Sequence, residues 1–256
     1  MVLALDIGNT NIVIGVFDDG NLQFIARIET NRSMTKDEYT VKLKGILEIY
    51  EVDIPKVDGA IISSVVPPLT KALADSVKRL IDKTPLVVGP GIKTGLNILI
   101  DNPAQLGSDL VVDSVAALAK YPRPIIIIDM GTATTICVLN EAGSFMGGTI
   151  FPGIRISLDA LSDRTAQLPH ISIDAPDKVI GTNTIDSMKS GLVFGNAAMV
   201  DGMIDRIESE MGAVATVVAT GGLSEEIVKN CQHSIIHNGN LLLEGLYLLY
   251  LKNKHH

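Results

Sequence analysis

The sequence predicts an α/β protein built from two duplicated domains, each with a mixed sheet and flanking helices. Three observations carry that prediction. First, residues 3–16, LALDIGNTNIVIGV, return in design at residues 125–138, IIIIDMGTATTICV. Second, Asp6, Gly8 and Gly20 are matched by Asp129, Gly131 and Gly143 at one constant offset close to half the chain, the signature of an internal repeat. Third, the first half reads as three strands, then helix, strand, helix and strand, an alternation that makes a sheet with helices packed on it. A chain of 256 residues accommodates two such domains. The proline-rich YPRP at residues 121–124 marks the boundary, giving domains 1–121 and 122–256.

Composition narrows the function classes. The net charge of −8, without a Lys/Arg cluster, argues against nucleic-acid binding. Two Cys far apart, Cys137 and Cys231, indicate neither a disulfide framework nor a zinc site. The start MVLALDIGNT lacks the basic region and long apolar run of a signal peptide, and no apolar run is long enough to span a bilayer. A cytoplasmic protein without membrane contact is the expectation.

In chain order, residues 3–16 read as two buried strands joined by a turn of Asp6, Ile7, Gly8, Asn9, Thr10 and Asn11. Gly8 permits close approach to the main chain, and Asn9, Thr10 and Asn11 add donors that could wrap a phosphate. Asp6, at a strand end, suits Mg²⁺, which prefers oxygen ligands. An ordinary hairpin explains the same residues; the repeat favours the phosphate turn. A strand follows at residues 22–28, then a capped amphipathic helix at 33–50 with Ser33 or Thr35 as cap. A buried strand at 57–66 ends in Ser63 and Ser64, read as a polar exit before Pro67 and Pro68, which open a helix at 69–82. A short strand covers 86–88.

Residues 89–102 are Gly-rich and irregular, a candidate functional loop. Asn102 and Pro103 are expected to start a helix carrying Gly107, Ser108 and Asp109, with Asp113 one turn on. Acidic residues there serve the helix dipole in the ordinary case, but the preceding Gly107 marks close ligand approach.

In the second half a strand is expected at 145–150. Gly147, Gly148 and Gly153 then lead to a helix beginning near Pro152, a pattern suited to anions at a helix N-terminus. Arg164 follows as a solvent-facing or anion-pairing residue. Residues 181–211 form one long helix or two, with Thr184 at its start and Gly191, Gly195 and Gly202 on one face for helix packing within the chain or across a dimer. A strand at 214–220 ends in Thr220, Gly221 and Gly222, where a flat ring could lie close to the backbone. His233 and His237 lack a third ligand, so no metal site is expected there. The last helix, NLLLEGLYLLYLKN, has a face to cover a sheet, and His255–His256 read as a tail without function.

Paired D-x-G turns on duplicated three-stranded meanders resemble the acetate and sugar kinase, Hsp70 and actin superfamily. Its halves are ribonuclease H-like domains in the actin-like ATPase architecture. DIGNTN, GSD at residues 107–109, LDALSDRTAQLP and the strand–TGG–helix corner together resemble type III pantothenate kinases across essentially the whole chain. The resemblance implies ATP-dependent phosphorylation of pantothenate to 4'-phosphopantothenate, the first step of coenzyme A biosynthesis, with ATP held by the two turns. It assigns Asp109 as the catalytic base. It assigns ATP and phosphate contacts to Asp6, Ile7, Gly8, Asn9, Thr10, Asn11, Ile12, Val13, Thr132, Gly221 and Gly222. Substrate contacts fall on Ile100, Gly107, Ser108, Asp109, Leu110 and Thr184. It also implies Mg²⁺ at Asp6, a monovalent cation (K⁺ or NH₄⁺) at Asp129, and a homodimer. For Asp129 a second magnesium-linked carboxylate is the rival role.

Two departures stand out: the family has Arg directly after the aspartate where this chain has Leu110, and often Tyr where it has Ile100. They leave two rivals, a regulatory Baf-like homologue and a kinase for a different small alcohol.

Overall fold

The first strand, VLALDI, is apolar at every position but Asp6, and both of its faces are covered. In the computed structural model, which describes residues 1–254, β1 (Val2–Ile7) turns Leu3, Leu5 and Ile7 toward one core and Val2 and Ala4 toward another. It runs antiparallel to β2 (Asn11–Asp18), which pairs in turn with β3 (Asn21–Glu29). On its other side it runs parallel to β4 (Gly59–Ser64), followed by β5 (Leu86–Val87), so the sheet order is β3-β2-β1-β4-β5. Helices α1 (Lys36–Ile49) and α2 (Pro67–Ile81) bury Tyr39, Leu43, Leu47, Leu69, Leu73 and Val77 on the Leu3 face.

The second sheet repeats the design. Strands β6 (Ile125–Met130), β7 (Ala133–Leu139) and β8 (Phe145–Pro152) form the antiparallel meander. Parallel β9 (Thr216–Thr220) and β10 (Ile236–His237) complete the order β8-β7-β6-β9-β10. The antiparallel outer pair of each sheet, β2–β3 and β7–β8, carries a register shift. On one face lie α4 (Ile154–Arg164), α5 (Thr184–Met211) and α6 (Ser224–Val228), burying Leu158, Leu192, Val193, Val200, Ile204 and Ile227. The duplicated α/β architecture expected from the repeat is what the chain adopts.

Two helices extend the first unit. The loop after β5 contains a short 3₁₀ turn, Pro103–Gln105, and then α3 (Ser108–Lys120). The helix expected from Asn102 and Pro103 therefore starts five residues later, at Ser108, because Gly107 breaks the run and its carbonyl becomes the first acceptor, for Val111 N at 3.2 Å. Helix α7 (Leu241–Asn253) packs on β1 and β4, adding Leu243, Leu246 and Leu249 to the core with Val2, Ala4, Ile61 and Val112. By contacts, one unit comprises Met1–Gly95, Ala104–Ala116 and Leu241–His256, and the other Leu96–Pro103 and Ala117–Asn240. Sequence order groups α7 with the second half, whereas its apolar face completes the first.

Local details refine the sequence reading. Thr35, not Ser33, caps α1, in a capping box with Glu38. Helix α5 is a single element capped by Asn183, whose side chain accepts from Asp186 N, so Thr184 is the first helical residue and not the cap. On α5, a β-carbon at Gly191 or Gly195 would meet nothing within 4 Å, so these glycines seat no neighbouring helix among the described residues. Gly148 and Gly153 have main-chain atoms where a side chain would stand, although Gly148 is exposed and Gly153 buried. A β-carbon at Gly148 would strike Ile136 O, and one at Gly153 would strike Thr132 O, so both serve close backbone packing. Cys137 and Cys231 are unbridged, and burial with Asp201 nearby pushes the Cys231 thiol up to about 12. No metal-binding group of three or more His, Cys, Asp or Glu occurs among the described residues, and no helix there is long and apolar enough to cross a membrane. The expected tail His255–His256 lies outside the described residues.

Candidate active site

In the first unit the β1–β2 turn is tighter than the six residues expected. Asp6 and Ile7 end β1, Asn11 begins β2, and Ile7 pairs with Ile12. Only residues 8–10 lie outside the strands, closed by Gly8 N donating to Asn11 O at 3.0 Å. The turn is braced from the end of β3: Thr30 Oγ1 donates to Gly8 O at 2.7 Å, and Thr30 N donates to Thr10 O at 2.9 Å. Asn9, Thr10 and Asn11 are exposed. Ile7 and Ile12 are fully buried in the core, so only their main chain could meet a ligand. Arg32 Nη2 donates to Asn9 Oδ1 at 2.9 Å, which brings a cation to the turn. Sequence reasoning passed over Arg32, since its pairing with Asn9 belongs to no local pattern.

Asp6, Val13 and Ser63 lie opposite one another in register and so share one face of the sheet. From that face the sheet meets the head of α3. Ser63 Oγ lies 3.0 Å from Ser108 Oγ, and Ser108 precedes Asp109. Gly107 makes room here: a β-carbon on it would strike Asp109 Oδ1. The first unit thus brings Asp6, Gly107, Ser108 and Asp109 together through Ser63.

Asp109 is the electrostatically distinctive member. Burial raises its carboxyl above the ordinary value of 3.8, while hydrogen bonds from the amides of Leu110 and of Asp109 itself pull the other way. The Leu110 amide donates to Oδ1 at 2.9 Å. A carboxylate held in this way is a stronger base than one in water and has a fixed direction.

In the second unit Asp129 pairs across β6 with Thr135 on β7 and Thr220 on β9. Three oxygen-bearing side chains therefore share one face. Thr135 Oγ1 is buried with no hydrogen-bond partner among the described residues. Gly221, at φ +94°, turns the chain beside Asp129 and Met130, while Gly222 has open space where a side chain would stand. Thr132 is exposed at the tip of the second turn, and Gly131 N donates to Ala133 O at 3.0 Å as Gly8 does in the first. Thr134 turns to the opposite, core-facing side with Met130 and Phe151.

The remaining expected substrate residues also lie in the second unit. Ile100 follows the segment that joins the edge of β8, where Leu99 N donates to Phe145 O at 2.8 Å. Ile100 packs near Gly147. Thr184 lines a cavity of about 720 Å³ with Ser157, Leu161, Met188, Leu192 and Asn196. That volume suits a small organic molecule, and its mixed lining offers hydroxyl and amide groups together with apolar side chains.

Comparison with known proteins then gives a consistent picture. Residues 2–206 match the family model described as type III pantothenate kinase. The chain is 46% identical over 99% of its length to a type III pantothenate kinase of an Exiguobacterium species, covering 100% of that protein. It is 44% identical over 99% of its length to the type III pantothenate kinase of Halalkalibacterium halodurans, again covering 100%. Among solved structures, a conserved putative Baf family transcriptional activator from Campylobacter jejuni superposes with a TM-score of 0.62 at 20% identity, covering 99% of this chain and 100% of that one. At that identity the superposition speaks for the fold alone.

Proposed function

The chain belongs to the type III pantothenate kinase family, and from this premise we propose how its residues carry out ATP-dependent phosphorylation of pantothenate, the first step of coenzyme A biosynthesis. The observation that carries the assignment of roles is the run Asp6–Ser63–Ser108–Asp109, which puts a half-buried carboxylate of raised basicity on the same side of the sheet as the strand-end aspartate.

Asp109 accepts the proton of the pantothenate primary hydroxyl as its oxygen bonds to the γ-phosphorus of ATP. The bond between that phosphorus and the bridging oxygen breaks, and ADP leaves with the electron pair. Phosphoryl transfer asks the protein mainly for alignment and charge stabilisation, with one group to orient the nucleophile. Asn9, Thr10 and Asn11 supply donors for phosphate oxygens, while Gly8, whose N–H is given to Asn11 O, leaves the turn open to close approach, and Ile7, Ile12 and Val13 add only the flanking backbone. Thr132 does the same from the second turn. Gly221 and Gly222 receive the adenosine end, and the open space at Gly222 supports that reading.

The donor sets fit the implied cations. Asp6 offers a partly exposed strand-end carboxylate, the ligand type Mg²⁺ takes together with phosphate oxygens. Asp129, Thr135 and Thr220 offer oxygens on one face, and the unpartnered Thr135 hydroxyl is the group a monovalent cation would satisfy. Bound there, these ions would neutralise phosphate charge. Gly107, the Ser108 main chain, Leu110, Ile100 and Thr184 border pantothenate, with Leu110 and Ile100 making its surroundings more apolar than in the family pattern. We also read the protein as a homodimer, which the open α5 face at Gly191 and Gly195 supports.

The deciding experiment is ADP release by the purified protein with Mg·ATP, with and without pantothenate, in potassium and in sodium buffer. Release that depends on pantothenate and is faster in potassium is expected. ATP binding without pantothenate-dependent release in either buffer would overturn the assignment.

A further inference from the structure

We propose that Ser63, acting through Ser108 and backed by Ser64 and Thr70, is a positioning residue for Asp109. This inference rests on the reading of Asp109 as the base and extends it to side chains that touch no substrate. Its ground is the hydrogen-bond capacity of one hydroxyl. Ser108 Oγ donates to Ser64 O at 3.0 Å and accepts from Ser64 N at 3.2 Å. A serine hydroxyl has one hydrogen and two acceptor sites. With its hydrogen given to Ser64 O, the 3.0 Å contact with Ser63 is one in which Ser63 donates. All three positions on Ser108 Oγ are then used.

Ser108 therefore binds the end of β4 much as a neighbouring strand would, taking both the N–H and the C=O of Ser64. The first residue of α3 is clamped to the sheet at three points, and the next residue is Asp109. Ser63 has 0% exposure, so its hydroxyl is sealed into this contact and away from solvent. Its register position opposite Asp6 ties the clamp to the strand bearing the proposed magnesium ligand.

The clamp has a second tier. Ser64 Oγ accepts from Val66 N at 3.2 Å and from Thr70 Oγ1 at 2.8 Å. Thr70 lies in the first turns of α2, so the end of β4 is held between the heads of two helices. A polar strand end followed by Pro67 and Pro68 has an ordinary explanation as a chain exit. Such an exit needs no hydroxyl sealed from water and none bonded to a residue 45 positions away.

The test compares Ser63→Ala and Thr70→Val with the unaltered enzyme, below their melting temperatures. It reads kcat, KM for both substrates, and the pH profile of kcat/KM. Because small misplacements of a catalytic group cost one to two orders of magnitude in rate, Ser63→Ala is expected to lower kcat about tenfold with both KM values within about twofold. Thr70→Val, one bond further out, is expected to lower kcat about threefold. The acid limb of the profile should move toward lower pH in Ser63→Ala, as a loosened α3 head lets water reach Asp109.

A serine that served only the fold would lower the melting temperature and leave kcat and the acid limb in place; that result overturns the proposal. Asp109→Asn, measured alongside, separates the two readings. If it keeps full turnover, Asp109 is not the base and the positioning role falls with it. If it is inactive while Ser63→Ala keeps full kcat, only the positioning role falls. Should Ser63→Ala fail to fold, an unchanged kcat in Thr70→Val is the overturning result.

Discussion

Gly221 lies so close to Asp129 that a β-carbon at position 221 would stand 2.6 Å from Asp129 Oδ1 and 2.6 Å from the Met130 main chain. Its φ of +94° is one that L side chains rarely adopt. Gly222, the next residue, meets nothing within 4 Å. Two adjacent glycines thus answer to different demands, one from the protein and one from whatever approaches it.

Substituting each separates those demands. Gly221→Ala combines backbone strain with a clash against fixed atoms and is expected to cost on the order of 2 kcal/mol or more. Gly222→Ala should leave the melting temperature nearly unchanged while raising KM for ATP. Thermal melts and ATP saturation curves on both variants check this. Equal stability loss at the two positions would contradict it.

Asp109→Asn should lower turnover about a hundredfold or more, as expected when a general base is removed. It should also stabilise the protein. Burial raises the folded-state value of Asp109 above 3.8, so between the unfolded and folded values the folded chain binds more protons than the unfolded one. Stability therefore falls as pH rises through that window and stays lowered above it. The asparagine variant escapes this loss, so it should melt higher than the parent at neutral pH, with the advantage disappearing below 3.8. Melting curves across the acid range test the sign.

Asp129→Ala should abolish the difference between potassium and sodium buffers while leaving some turnover, because the remaining hydroxyls of Thr135 and Thr220 carry no charge to hold a cation. Rates measured across a potassium titration check this. An unaltered potassium response would remove Asp129 from that role.

Thr134 Oγ1 and Thr149 Oγ1 are buried without a hydrogen-bond partner among the described residues. Both lie on the core face of the second sheet, Thr134 opposite Phe151 and Thr149 opposite Ile136. Valine has the same shape without the stranded hydroxyl, so Thr149→Val is expected to gain about 1 kcal/mol. The midpoint of urea unfolding measures it, and a loss of stability would show that the hydroxyl has an unseen role.

The repeat made the architecture legible, because Asp, Gly and apolar positions recur at fixed spacing in Ile125–Met130 as in Val2–Ile7. Local chemistry likewise exposed the α1 cap region and the prolines that open α2. What the sequence did not disclose is long-range. The first residue of α3, Ser108, has its hydroxyl bonded to a strand 44 residues earlier, a contact no local pattern shows. Gly148 and Gly153 resemble ligand-approach glycines in sequence, yet their neighbours are Ile136 O and Thr132 O, atoms that only the folded sheet brings near. In the candidate site, Asp6 and Asp109 stood out by residue type and motif. Ser63 looked like a strand exit, since nothing local distinguishes a serine that ends a strand from one that anchors a helix. Arg32 carried no motif at all.

The placement of α7 bears on how the chain is made. A ribosome releases β1 well before α7, yet Leu243, Leu246 and Leu249 of α7 share a core with Val2 and Ala4 of β1. The unit that begins first is therefore closed last, and its sheet waits with one apolar face incompletely covered while the other unit is still emerging. Ala117–Asn240, by contrast, is complete in all its elements before α7 appears. Domains released during synthesis fold as units, so here the earlier-made half depends on a late segment, and the nascent chain carries a sheet covered by α1 and α2 on one face only until α7 emerges.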